Sequence, residues 1–120
     1  MGWRVMSQVK MTKEVAINIL REVAEDSAFH FYKSIDAPTG ITARSLQEFH
    51  DALRGVEPSS VEFHIVRVDF VNWVKMLVDV TLAKQIESLK GKGLPADEAR
   101  KLLILLVRLR MGRLRKTAAS

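Results

Sequence analysis

The chain has 120 residues, of which 48% are hydrophobic and 28% charged, with no cysteine and 19 basic against 14 acidic side chains for a formal charge of +5. That length and apolar content fit one soluble globular domain with a core of its own. They exclude wholesale disorder and a disulfide scaffold. The first residues show no apolar run behind a basic start, as a secretory signal would, and the longest apolar stretch, 102–107, falls far short of the roughly 20 residues that span a bilayer. The expectation is a cytoplasmic protein with no membrane partner. Met1, Met6 and Met11 are all plausible starts, so residues 1–11 are read as a loose arm ahead of the domain.

Thr12 is a good N-cap, and Ala16, Ile19, Leu20 and Val23 follow at the spacing of a one-sided apolar stripe, predicting a helix over about 12–25. The next segment is aromatic and branched on both sides of Asp36-Ala37-Pro38-Thr39-Gly40, a turn-forming run. It predicts a β-hairpin with strands at about 28–35 and 40–44. Ser45 and Glu48 match a capping box for a helix over about 45–54 that buries Leu46, Phe49 and Leu53 and stops at Gly55. A second box, Ser59 to Glu62, favours a short helix at about 59–66, although the alternation of Val61, Phe63 and Ile65 also fits a strand. Asp69 is expected to cap a helix with Phe70, Trp73, Val74 and Leu77 on one face, at about 69–78, and a second helix follows at about 80–90. Gly91-Lys92-Gly93 reads as a hinge between helices, and Pro95 opens a last helix running to about 115. The fold class is mainly α: five or six helices and one small β-hairpin. Residues 12–94 are the body, with the hairpin at about 28–44, and 95–120 are a basic C-terminal helix and tail of the same compact domain.

Several unlike segments recur in a familiar order: Phe29-His30-Phe31-Tyr32, Thr39-Gly40, Ala43 to Phe49 with its Ser-Leu-Gln-Glu-Phe, Phe63-His64, Asp69 to Val74, and Leu82-Ala83. Over about residues 29–90 the chain resembles an uncharacterised family of archaeal and bacterial proteins, a domain of unknown function. The resemblance implies a compact structure and supplies no reaction. That family commonly has Gly or Asn just before the Asp-Phe pair, where this chain has Val68.

His30, His50 and His64 have no metal-binding spacing, so neither a metal nor a cofactor is expected. Gly91-Lys92-Gly93 lacks the strand and the Ser or Thr of a phosphate loop, and no nucleophile elbow or dinucleotide fingerprint occurs. His64 and Asp69 flank one short connection, so folding could join them as a base and its orienting carboxylate. The structural reading is preferred: Asp69 caps a helix, Trp73 fills the core and His64 hydrogen-bonds locally. The chain is therefore expected not to be an enzyme.

Charge is distributed unevenly. Residues 100–120 hold seven basic side chains and no acid, which leaves 12 basic against 14 acidic, net −2, for residues 1–99. Arg108, Arg110, Arg113, Arg115 and Lys116 point in nearly every direction around a helix, so this end is expected to project. Arginine suits bidentate phosphate contact, and the leading expectation is that these five bind the phosphate backbone of RNA or DNA, or a ribonucleoprotein. The alternative is a protein-interaction or homo-oligomerisation module packing a partner helix on the apolar segment Leu102 to Leu109.

Overall fold

The computed structural model describes residues 11–120, so all but the last residue of the expected arm lies outside the described residues. In chain order the elements are α1 (Lys13–Leu20), a 3-10 turn (Glu25–Ser27), β1 (Phe29–Ser34), β2 (Ala37–Ala43), α2 (Leu46–Gly55), α3 (Pro58–Val66), α4 (Asp69–Met76), α5 (Val80–Lys90) and α6 (Ala96–Ala118). The expected class holds: six helices and one antiparallel hairpin among the described residues.

The Thr12 hydroxyl accepts from the Val15 amide at 3.2 Å and starts α1 as expected. The helix ends at Leu20, not near 25. The segment after it is extended because Val23 is drawn to the end of β2, donating its amide to the Arg44 carbonyl at 2.7 Å and accepting from Arg44 Nε at 2.9 Å. β2 begins at Ala37 rather than 40, so the hairpin turn is Ile35-Asp36, and Asp36 takes a left-handed φ of 63°. Pro38 thus lies within the strand, opposite Tyr32, between two register shifts. A strand proline is tolerated at such irregular edges.

Ser45 caps α2 by accepting from the Glu48 amide at 3.2 Å. The reciprocal half of the box is displaced by one residue, since the Glu48 carboxylate accepts from Arg44 N at 2.8 Å. α3 is a helix, as preferred over a strand, but the Ser59–Glu62 box does not make it. Pro58 occupies its first turn and no side chain caps it, because the helix start is fixed by proline's φ. α4 is not capped by Asp69 either. Its N-cap is Val68 in the left-handed region, φ 57°, and Asp69 is the first helical residue.

α6 organises the rest. Ala99, Leu103, Val107, Met111 and Leu114 form its buried stripe, and it packs against α1, α2, α3 and α5. The expectation of a projecting end is corrected here. Met111 and Leu114 are 2% and 1% exposed, so the basic end is laid onto the body. The same core continues into an aromatic cluster, where Phe29, Phe31, Phe49 and Phe70 pack with ring centroids 4.8–6.1 Å apart.

A buried ion pair pins α6 to the corner between α4 and α5. Asp79, 1% exposed, caps α5 by accepting from the Leu82 amide at 3.1 Å and receives Arg110 Nε at 2.8 Å and Nη2 at 2.9 Å. Removing one partner of such a pair strands the other charge. Arg110→Met should lower unfolding free energy by about 3–5 kcal/mol, and adding Asp79→Asn should recover part of that loss, both read from urea denaturation. Immediately before Asp79, half-exposed Val78 is held at φ 68°. A β-branched residue is strained there, whereas asparagine tolerates the conformation. Val78→Asn should raise stability by about 1 kcal/mol in the same assay.

Candidate functional site

α3 presents Ser60 and His64 one helical turn apart, both buried, to the backbone of β1. The Ser60 hydroxyl donates to the Tyr32 carbonyl at 2.7 Å, and His64 Nε2 accepts the Tyr32 amide at 2.8 Å. Because Nε2 must offer a lone pair, the imidazole proton sits on Nδ1, which donates to Asp69 Oδ2 at 2.8 Å. Arg67 Nε donates to the same oxygen at 3.1 Å, and its guanidinium lies 5.1 Å from the centroid of the Phe63 ring. Burial holds the His64 imidazole below its usual pKa, outweighing the hydrogen bond and charge of Asp69, with the Arg67 charge adding to the fall.

The structure therefore joins His64 and Asp69, and Trp73 is buried beside them with its indole donating to the Ser27 carbonyl at 2.9 Å. Asp69 is an orienting carboxylate rather than a cap. The pair is still not a base: the ring is 2% exposed and the nitrogen that would take a substrate proton already holds the Tyr32 amide.

Above this brace lies an open cleft of about 610 Å³, between the hairpin and α3–α4. Phe29, Tyr32, Phe63 and Trp73 supply aromatic surface, while Arg67 and Asp36 bring opposite charges. Sequence reasoning missed this cleft. The available signal is the set of aromatic residues among the family-like segments, of which Phe29 and Tyr32 read as strand residues and Trp73 as core.

The five basic residues singled out from the sequence do not act as one set. Arg110 is bound to Asp79 inside the fold. Arg115 donates to the Gln47 side chain and Arg108 Nε reaches His50 Nε2 at 3.4 Å, so both lean onto α2. His50 in turn contacts Asp51 at 3.0 Å, and that hydrogen bond holds the Asp51 carboxyl below its usual pKa. Arg113 and Lys116 are exposed and have no partner among the described residues. His30 is an exposed strand residue, and no group of three or more potential metal ligands occurs among the described residues. No helix among them is long and apolar enough to cross a membrane.

A family model matches residues 6–108, nearly the whole body, including the brace and the cleft. The chain belongs to DUF5752, a family of unknown function. The match confirms the resemblance read from the segments between 29 and 90, carries no activity, and ends within α6. No curated protein and no solved structure matches the chain.

The lowered His64 pKa fixes a pH dependence. Below the ordinary value of 6.5 the unfolded chain takes up a proton that the native imidazole resists, so the native state binds fewer protons and stability falls as pH falls. His64→Gln should be less stable at neutral pH and should lose less of its remaining stability between pH 7 and 5 than the parent, measured by denaturation at each pH.

Proposed function

We propose that this member of DUF5752 is a non-enzymatic protein-interaction domain that seats an acidic amphipathic helix on the outer face of α6. The supporting observation is the pattern of that face. Leu102, Leu105, Leu109, Gly112 and Lys116 alternate three and four residues apart and fall within about 80° of arc, away from the buried stripe. Leu105 and Leu109 are 44% and 59% exposed. Lys101, Arg108 and Arg115 line one edge at seven-residue intervals and Arg113 the other, and residues 99–120 contain no acid. An apolar strip between basic edges complements a helix with leucines on its contact face and carboxylates beside them.

Phosphate contact uses the cations and leaves the leucines idle, and Arg110 is already consumed by Asp79. A second copy fits the leucines but not the charge. Antiparallel pairing sets the Arg108–Arg115 edge against itself, and parallel pairing sets it against Arg113. The observations therefore favour the partner-helix reading over nucleic acid and over self-association.

The test titrates the full chain with a synthetic helical peptide carrying leucines at heptad spacing flanked by glutamates, and in parallel with single-stranded RNA and duplex DNA. The peptide is expected to bind, with Leu109→Glu weakening it at least tenfold while the fold is retained, since a solvent-facing leucine contributes little to the core. Preference for RNA or DNA, with log affinity falling linearly in log salt, would replace the proposal with polyanion binding. A concentration-dependent dimer lost in Leu109→Glu would replace it with self-association.

A further inference from the structure

We infer that the cleft between the hairpin and α3–α4 is a binding site for a small aromatic monocarboxylate. This inference is independent of the α6 surface. The cleft has the size of a small-ligand site and the usual composition of one: aromatic walls with a few convergent polar groups. Its most ligand-ready group is Arg67. Nε is committed to Asp69 and the guanidinium carbon lies 5.1 Å from the centroid of the Phe63 ring, two contacts that hold this half-exposed side chain at the cleft. Neither Nη nitrogen has a partner among the described residues. An arginine held by its neighbours with two donors unoccupied is preorganised for the two oxygens of a carboxylate.

The remaining charges narrow the class. Asp69 is balanced by Arg67 and by the hydrogen bond from His64. Asp36, on the hairpin turn at the rim, has no partner among the described residues and adds a negative charge facing the opening. A carboxylate draws on the two free Nη donors of Arg67 against the charge of Asp36, whereas a doubly charged phosphate meets about twice that repulsion. Phe29, Tyr32, Phe63 and Trp73 give the body of the ligand aromatic partners for stacked or edge-on packing. His64 is committed to Tyr32 and Asp69, His30 and Asp36 also line the cleft, and the inference is of binding alone.

The test follows the Trp73 indole and Arg67 Nε–H signals in nitrogen–proton spectra of the full chain while phenylacetate, phenethylamine or phenyl phosphate is added. Phenylacetate is expected to shift both signals saturably, with phenethylamine and phenyl phosphate much weaker. Arg67→Lys keeps the charge but loses the fork and should bind phenylacetate about tenfold more weakly, with the Tyr32 amide signal reporting that the His64 brace is intact. Asp36→Asn should tighten phenylacetate about two- to threefold and narrow the penalty against phenyl phosphate. The inference is overturned by absence of saturable shifts with phenylacetate, by undiminished affinity in Arg67→Lys, by tighter binding of phenethylamine, or by weaker phenylacetate binding in Asp36→Asn. Leu109→Glu should leave this titration unchanged, which keeps its outcome separate from that of the α6 face.

Discussion

The body of this fold depends on how one strand residue satisfies its backbone. Tyr32 turns both its amide and its carbonyl toward α3, where no neighbouring strand among the described residues receives them. A buried backbone group left without a partner costs about as much as a lost hydrogen bond, so something on the helix must substitute for a strand. Ser60 and His64 do so because residues four apart on a helix share a face, one supplying a donor and the other an acceptor. The acceptor role requires a neutral imidazole of one tautomer, and Asp69 enforces that tautomer from the far side. To reach Nδ1, Asp69 must enter α4 directly after a sharp reversal, which places Val68 at φ 57°. The strained valine, the missing N-cap and the low-pKa histidine are thus linked consequences of one strand docking edge-on against one helix.

A second buried polar contact works where α6 meets the corner between α4 and α5. Asp79 serves as the cap of α5 and the partner of Arg110 at once, and its position follows from another left-handed valine, Val78. Buried ion pairs contribute little net stability compared with apolar packing, but they tolerate few alternative arrangements. The packing of Leu103, Val107 and Met111 sets the rotation of α6 about its own axis, and the ion pair locks it. With that stripe and Arg110 turned inward, Leu105 and Leu109 are turned outward.

Much of the architecture was legible because it rests on local signals. Thr12 and Ser45 act as the caps their positions predict, and the class and the hairpin follow from periodicity and turn residues, whereas the helix expected at about 59–66 forms from Pro58 without the box that argued for it. Two failures come from a polar side chain that had more than one partner available. Glu48 took the Arg44 amide beside the one its box predicts, and Asp69 preferred His64 to its own helix end. Arg110 was counted among outward cations because sequence periodicity does not say which direction is inward on a helix apolar on all sides. Only the packing of Leu103, Val107 and Met111 decides that. The cleft was illegible for a similar reason, since Phe63 and Trp73 look alike in sequence whether they fill a core or border an opening.

The two surfaces differ in how tightly they are bound to the fold. The cleft's Arg67, Asp69 and His64 are also structural: Arg67 steadies Asp69, Asp69 holds His64, and His64 holds β1. A substitution among them alters the proposed recognition and stability together, because the free Nη donors and the brace share the Arg67 side chain. On the outer face of α6 the division is cleaner. Leu105, Leu109 and Arg113 project from a helix already anchored by its opposite side, so their identity is nearly free of folding constraint. The binding preference proposed for α6 can therefore change by surface substitution alone. The cleft can change preference only through residues that stand outside the brace, such as Asp36 on the turn and Phe63 on the wall.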